Sequence, residues 1–236
     1  MGRFSLAVFG RKTLPERCVI YAGAYVPSRK EKIRPLFDKW RLVRGNWLPY
    51  AFARKQRKEF LVLFNVYGAS MTLEVLHHLK DGGVRKVFFV GSMFAKGIPI
   101  GRLVLPTRVV DRAGIVLVDD PTRTTVLPNK SSVWTLKSAL KRLNLQFVEA
   151  KIASVPCVIH GIKRVTEFIE KSADIEGVEM EASTFLYFSK QLRLMSYVVL
   201  YVSDNERIDV ISTVKLVREA RRKALRDITK LAFEVL

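Results

Sequence analysis

The feature of this sequence that most constrains its fold is the alternation of short apolar runs with longer amphipathic segments. The short runs are rich in Val, Ile, Phe and Tyr and are bounded by Gly, Pro, Asp or Ser, which is typical of β-strands. The segments between them carry apolar residues at three- and four-residue spacing, which predicts helices. Several runs, such as residues 87–90, are apolar on both faces, as in a sheet covered by helices on both sides. The pattern predicts an α/β fold built on one sheet.

The alternation divides the chain into predicted elements. Strands are predicted at residues 18–22, 60–67, 87–91, 102–109, 115–118, 147–154 and 197–203. Helices are predicted at residues 70–80, 132–143, 162–171, 180–192 and 210–236. The basic, aromatic-rich segment from Lys39 to Lys58 shows no clean period, so we interpret it as a surface excursion. No repeat or linker-like stretch divides the chain, which predicts one domain over residues 1–236.

The length and composition are those of a folded protein. With 236 residues, 49% hydrophobic and 27% charged, the chain can bury a full core, which excludes disorder and coiled coil for the whole chain. No apolar run approaches the roughly 18 residues that cross a bilayer, and no signal-peptide core is present, so no membrane association is expected. Two cysteines, Cys18 and Cys157, cannot form a disulfide framework, and we therefore expect a cytoplasmic protein.

The charge is strongly basic and unevenly distributed. Lys and Arg total 41 against 22 Asp and Glu, a net charge of +19, and residues 1–60 hold 15 basic and 4 acidic residues. A basic surface concentrates polyanions, so nucleic acid is a candidate partner. No zinc-finger spacing, aromatic RNA-recognition signature or basic-region heptad is present, however. The alternative is a solvated basic surface with a composition typical of thermophile proteins, and the charge alone does not decide between them.

Glu181 breaks the pattern of its predicted helix. Steps of four, three and four residues place it on one face with Phe185, Phe188 and Leu192, which is the predicted buried face. A carboxylate buried there costs several kcal/mol unless it is paired or hydrogen-bonded. Glu181 is therefore a candidate functional residue.

Asp204 and Arg221 are two further candidates. Asp204 follows a fully apolar predicted strand, and open α/β sheets bind their ligands at the carboxyl ends of strands. Arg221 interrupts the apolar stripe of the last predicted helix, where an inward guanidinium could pair with Asp204. The alternative is that Asp204 caps the following helix and that Arg221 extends its charged end into solvent.

Two short segments carry a resemblance to a known family. Residues 177–182, Gly-Val-Glu-Met-Glu-Ala, followed by Val-Ser-Asp at 202–204, resemble the purine and uridine nucleoside phosphorylase superfamily, which includes the methylthioadenosine and adenosylhomocysteine nucleosidases. Residues 84–92, ending in Gly-Ser, and residues 101–107 are similar to two further strands of that family. Over residues 15–236 the resemblance implies one α/β domain, with a central mixed sheet partly curled into a barrel and flanked by helices.

The resemblance also implies a binding site. Glu181 would accept hydrogen bonds from the ribose hydroxyls, Met180 would pack on the sugar, and Glu179 is implied as a further ribose-binding residue. Asp204 would protonate or hydrogen-bond a purine ring nitrogen, assisted by Arg221, so that the base leaves as a neutral molecule. The residues implied to line the base are Ile152, Val155 and Ser203. For Ile152 and Val155, plain packing of a strand is the alternative.

The phosphate half of the site departs from the family pattern. Arg29, in a Pro-Ser-Arg segment where the phosphate loop would lie, and Ser92 are the candidate phosphate ligands. The arginine that the family places just before the Gly-Ser turn is Phe89 here. The glutamate with which the nucleosidases activate water aligns best with Ser28, one turn from Glu31. Neither subfamily pattern is complete.

The resemblance implies a pentosyltransferase of purine salvage that cleaves a purine nucleoside, with phosphate as co-substrate and no other cofactor. The alternatives are a phosphate-independent nucleosidase and an inactive nucleotide- or RNA-binding protein on the same fold. The implied partners are the nucleoside, phosphate and further copies of this chain, as a dimer or hexamer. His77 and His78 lack a third ligand at useful spacing, so no metal site is expected.

Overall fold

The computed structural model describes residues 3–23, 33–45, 47–157, 162–172, 174–207 and 214–236. The strands in this part of the chain are β1 (Arg17–Ala22), β2 (Lys39–Arg44), β3 (Pro49–Lys55), β4 (Lys58–Val66), β5 (Lys86–Ala95), β6 (Leu103–Asp111), β7 (Thr125–Val126), β8 (Phe147–Ser154), β9 (Gly177–Glu179) and β10 (Met195–Asp204). Its α-helices are α1 (Arg3–Phe9), α2 (Ala69–Asp81), α3 (Ile115–Asp119), α4 (Lys130–Arg142), α5 (Ile162–Lys171), α6 (Ala182–Gln191) and α7 (Lys215–Val235).

These strands form one mixed sheet, part of which closes on itself. The strand order is β10-β6-β8-β9-β5-β1-β4-β3-β2, and β7 pairs with β6. Because β10 also pairs with β5, the strands β10, β6, β8, β9 and β5 make a closed ring. β4, β1, β5 and β10 run parallel to one another, whereas β6 is antiparallel to β10 and β9 is antiparallel to β5. The arrangement confirms the predicted α/β class and the partial barrel.

Hydrophobic side chains on both faces of the sheet are buried under helices, as the doubly apolar strands predict. Alternate residues of β1 enter different cores: Cys18 and Ile20 belong to one cluster, Val19 and Tyr21 to the other. The first cluster includes residues of α2 and α6, and the second includes residues of α4 and α7. The helices thus cover the two faces separately, which fixes α6 on the α2 side of the sheet.

The segment from Lys39 to Lys58 is part of the sheet, so its interpretation as a surface excursion is wrong. Residues of β2 pair antiparallel with β3, and β3 pairs antiparallel with β4. Tyr50, Ala51 and Ala53 of β3 are buried. The segment lacks a clean period because β2, at the edge of the sheet, has no buried residue on either face. Buried side chains thus begin at β3, one strand inward from the edge of the sheet.

The predicted strand at 115–118 is the short helix α3. It follows Gly114, whose φ of 84° is accessible to glycine at little cost. Only Val116 of this helix is buried, and Val118 is 83% exposed. A run of four apolar residues reads as a strand by composition, but tertiary packing decides between a buried strand and an exposed helical turn.

Candidate active site

The register of three strands brings the two predicted acidic residues to one end of the sheet. Asp204 of β10 is level with Phe94 of β5, and Phe94 is level with Val178 of β9, one residue before Glu179. Two strand spacings separate Asp204 from Val178, about 10 Å. Asp204 and the strand that leads to Glu181 therefore meet near the carboxyl end of β5.

Glu181 is buried at the start of α6, with 4% of its surface exposed. The helix begins at Ala182, so Glu181 is its N-cap residue and not part of the buried stripe of a helix that starts at 180. Its Oε1 accepts a hydrogen bond of 2.7 Å from the backbone N–H of Gly68, which precedes α2. Burial and the charge of Glu179 raise the pKa of Glu181 to about 8. The Glu181 side chain thus joins the starts of α2 and α6.

Both carboxylate oxygens of Glu179 accept hydrogen bonds from the protein. One carboxylate oxygen accepts a hydrogen bond from the Ser154 hydroxyl. The other accepts backbone N–H bonds of 2.7 Å from Glu181 and from Ala182. Burial raises the pKa of Glu179 although these donors oppose the rise. Protein donors thus bind both oxygens of Glu179, two of them N–H groups at the start of α6, and its contact with ribose stays a prediction.

The Arg221 side chain reaches the end of β10, where it contacts Ser203, the residue before Asp204. Its Nε donates a hydrogen bond of 2.6 Å to the carbonyl oxygen of Ser203. The Ser203 hydroxyl lies 3.2 Å from the carbonyl oxygen of Met93 and also hydrogen-bonds the carboxylate of Asp204. Ser203 is buried and Asp204 is half-buried. The structure therefore brings Arg221 to Ser203, the residue before Asp204, and the pairing of Arg221 with Asp204 stays a prediction.

The remaining predicted ligands divide between the core and the site. Met180 is 8% exposed and lies between the two glutamates. Ile152 is completely buried in the larger core, which agrees with the packing alternative. Val155 is half-buried, and its N–H donates to the carbonyl oxygen of Glu179 at 2.7 Å. Val155 therefore remains a candidate for contact with the base.

The phosphate half is described only in part. Ser92 lies on β5, at alternate positions from Phe88 and Val90 of the second core. Phe89, where the family has an arginine, is completely buried and packs on Phe185 with ring centroids 4.7 Å apart. Arg29, with residues 24–32, lies outside the described residues.

Sequence reasoning missed several residues around the glutamates. Gly68 and Ser154 hold Glu181 and Glu179, and Ser154 is completely buried. Tyr67 lies close enough to Glu181 for that charge, after burial, to raise the pKa of its hydroxyl. The one signal was positional: Tyr67-Gly68 and Ser154 end predicted strands, as Asp204 does.

The described part of the chain lacks the features of two other functional classes. It contains no group of three or more His, Cys, Asp or Glu side chains that could hold a metal ion. It also contains no helix that is long and apolar enough to cross a membrane.

Known structures with the same fold include enzymes that act on nucleosides. Purine nucleoside phosphorylase from Toxoplasma gondii, in complex with immucillin-H, is similar with a TM-score of 0.79 at 13% identity, over 94% of this chain and 91% of that one. Uridine phosphorylase from Vibrio fischeri, complexed with 6-hydroxy-1-naphthoic acid, has a TM-score of 0.78 at 17% identity, over 92% and 89%. The 5′-methylthioadenosine/S-adenosylhomocysteine nucleosidase from Campylobacter jejuni has a TM-score of 0.74 at 13% identity, over 92% and 98%. At these identities the likeness shows the fold alone.

Comparison of the sequence itself identifies the family. No curated protein matches the sequence. The family model described as the phosphorylase superfamily matches residues 23–236, which is most of the chain and includes every candidate site residue named above. This chain belongs to the phosphorylase superfamily.

Proposed function

We propose that this protein cleaves the N-glycosidic bond of a purine nucleoside and transfers the pentosyl group to phosphate. The observation that carries the proposal is that buried Glu181, held by the Gly68 N–H, and Asp204 lie toward the same end of the sheet: Asp204 and Val178, three residues before Glu181, are both level with Phe94 of β5. One carboxylate would contact the sugar and the other the base. Membership of the superfamily supports action on a glycosidic bond.

Glu181 would bind the ribose. Its ionised carboxylate accepts hydrogen bonds from the sugar hydroxyls, and Met180 packs on the sugar from the neighbouring position. As the bond from C1′ to the base lengthens, positive charge develops on the pentose ring. A fixed negative charge in a buried site stabilises that oxocarbenium-like transition state more than the ground state.

Asp204 would handle the leaving base. The electrons of the C1′–N bond pass to the purine, and Asp204 donates a proton to a ring nitrogen, so that the base leaves neutral. An oxygen of phosphate then bonds to C1′, which gives a pentose 1-phosphate, and Asp204 regains its proton from solvent. Arg221, bonded to the Ser203 carbonyl, fixes the end of β10 from which Asp204 projects.

The proposed acceptor of the pentosyl group is inorganic phosphate. Arg29 and Ser92 are the proposed phosphate ligands, and Phe89 supplies no charge because it is buried against Phe185. We therefore expect weak phosphate binding and a high phosphate KM. Water is the alternative acceptor, which would make the protein a nucleosidase. Proteins of similar structure include both a phosphorylase and a nucleosidase.

The test is an assay of free base. Purified protein is incubated with adenosine, inosine, guanosine, uridine and methylthioadenosine, with and without phosphate. Base release that requires phosphate, with pentose 1-phosphate as co-product, supports the proposal. Release in phosphate-free buffer identifies a nucleosidase instead. Absence of release from every substrate, or full activity in both Glu181→Ala and Asp204→Ala, contradicts the assignment of these residues to the chemistry.

We also propose that the chain acts as a homo-oligomer, a dimer or hexamer. Large apolar side chains on its surface support association, among them Trp134, 72% exposed, and Leu127, 66% exposed. Light scattering after gel filtration measures the mass. A monomer at micromolar concentration contradicts this part of the proposal.

A further inference from the structure

A second buried carboxylate stands beside the proposed site, and the proposed chemistry does not use it. Asp111 ends β6 and is 1% exposed. Its Oδ1 accepts a hydrogen bond of 2.7 Å from the Ser183 hydroxyl. Its Oδ2 is buried and has no hydrogen-bond partner among the described residues. Packing alone does not call for a carboxylate here, because burial of an incompletely bonded polar group destabilises the fold.

Asp111 belongs to a row of residues across three adjacent strands. It is level with Ser154 of β8, and Ser154 is level with Glu179 of β9. All three are buried, with exposures of 1%, 0% and 3%. The row meets the start of α6, where Glu181 and Ser183 lie. Asp111 is therefore at the far end of a buried polar layer that leads to the proposed ribose ligand.

Hydrogen bonds join every member of this layer. The N–H of Ser183 donates to the Ser154 hydroxyl at 2.8 Å, and that hydroxyl donates to Glu179. Glu179 in turn accepts the N–H groups of Glu181 and Ala182 at 2.7 Å. Ser183 is thus held twice, by its hydroxyl on Asp111 and by its N–H on Ser154. The first turn of α6 has no freedom to rotate without breaking a buried bond.

We infer that Asp111 is a positioning residue for Glu181, and that it acts through Ser183. By fixing the first turn of α6, the Asp111–Ser183 bond sets where the Glu181 carboxylate meets the sugar. The position of the Glu181 carboxylate should in turn give selectivity for ribose over 2′-deoxyribose, because only ribose carries a 2′-hydroxyl that this carboxylate can bind. This inference rests on the proposed function, in which Glu181 binds the ribose.

The test compares paired substrates and matched variants. In Asp111→Ala and Ser183→Ala we expect the ratio of kcat/KM for inosine over 2′-deoxyinosine to fall about 10-fold, within the range typical of residues that orient a ligand-binding group. The fall should come from a higher KM for inosine. Asp111→Asn retains an oxygen that accepts the Ser183 hydroxyl, so it should retain the wild-type ratio. The double variant should equal either single variant, because both remove the same bond.

The outcomes separate this inference from the proposed function. If Glu181→Ala loses the preference for ribose while Asp111→Ala and Ser183→Ala retain it, the inference is wrong and the function stands. If neither Glu181→Ala nor the two variants alter the preference, the role of Glu181 is wrong, and the inference falls with it. Circular dichroism and thermal unfolding check the fold of each variant. Should Asp111→Ala not fold, Ser183→Ala and Asp111→Asn give the same comparison.

Discussion

Two regions of this protein are rich in charge and use it in opposite ways. The β9–α6 junction, residues 178–183, carries two glutamates that are 3% and 4% exposed. The outer hairpin, residues 39–55 with β2 and β3, carries basic residues such as Arg41, Arg44 and Arg54 and no acidic one. In the described part of the chain these three arginines make no ion pair, and Arg41 lies over the Phe52 ring at 5.2 Å.

The difference teaches where charge indicates function. Arg41, Arg44 and Arg54 of the hairpin are exposed to water, so they add to the net charge at little cost to folding. The two glutamates of the junction are buried away from water, and hydrogen-bond donors of the protein take the place of water around their carboxylates. Net charge therefore describes the surface, whereas a carboxylate buried at a cost to stability is a candidate for a functional site.

The largest effect is expected from Asp204, near the junction, on the departure of the base. Asp204→Asn removes the proton donor but keeps the shape of the side chain, so kcat/KM should fall about 10²–10⁴-fold. The measurement is initial rate with a purine nucleoside, beside a substrate whose leaving group needs no protonation, such as a nitrophenyl riboside. If both substrates lose the same factor, Asp204 acts on something other than the leaving base.

The second effect is the loss of ribose contact with a change in pH dependence. Glu181→Gln should lower kcat/KM about 10²–10³-fold. In the wild type, kcat/KM should rise with pH through about 8, because the ionised carboxylate is the binding form. The pH profile of kcat/KM for Glu181→Gln should lack this rise.

Ionisation of Glu181 should affect stability in the opposite direction: the free energy of unfolding should fall with pH, whereas kcat/KM should rise. The pKa of Glu181 is raised in the folded state from 4.5 to about 8, so protonation favours the fold. The stability that this proton confers is full below pH 4.5 and is lost as pH rises toward 8. Urea unfolding of the wild type and Glu181→Gln between pH 5 and 9 measures it, and the advantage of the variant should grow with pH. A constant difference across that range would contradict the raised pKa.

A third effect is expected on stability, because Gly177 at the start of β9 is closely packed. A Cβ at Gly177 of β9 would fall on the Met93 methyl group and 2.5 Å from the Phe94 carbonyl oxygen. Gly177→Ala should therefore destabilise the protein by about 1–3 kcal/mol. Gly91→Ala is the matched control, since its closest contact is the side-chain end of Leu200 at 2.6 Å, which can move. Equal losses in chemical denaturation would show that the backbone contact is not decisive.

The smallest effects are expected in the outer hairpin. Replacing Arg41, Arg44 and Arg54 by Gln should change the free energy of unfolding by no more than about 0.5 kcal/mol each and leave kcat/KM unchanged. Binding of an oligonucleotide at low salt should weaken, with a shallower dependence on salt, because phosphate contacts are lost. A fall in kcat/KM would instead connect the hairpin with the site and remove the contrast between the two regions.

Periodicity predicted the strongly patterned elements best. The helix at 162–171 and the strand at 147–154 have the predicted bounds, because one face of each pattern is apolar. The hairpin was missed because β2 buries neither face, and the strand at 115–118 is a helix because no neighbouring strand pairs with it. Val214, placed on the apolar stripe of the last helix, is 57% exposed and precedes α7.

Within the site, the sequence was informative about types of residue and not about their partners. Glu181, Asp204 and Arg221 were selected because each breaks an apolar pattern, and the structure places all three near the ends of β10 and β9. Their roles stay predictions until the variants are assayed. For Glu179, only the structure shows that both oxygens bind protein donors, among them two N–H groups at the start of α6.

By itself the sequence determined the α/β class, the covering of the sheet on both faces and the family, since all three depend on local patterns and short motifs. Only the tertiary structure decided that Asp111, Ser154 and Glu179 stand in one row, although they come from three separate strands. Strand order and register are set by packing of the whole core, which no local segment encodes. The residues that position Glu181 are therefore invisible until the strands are side by side.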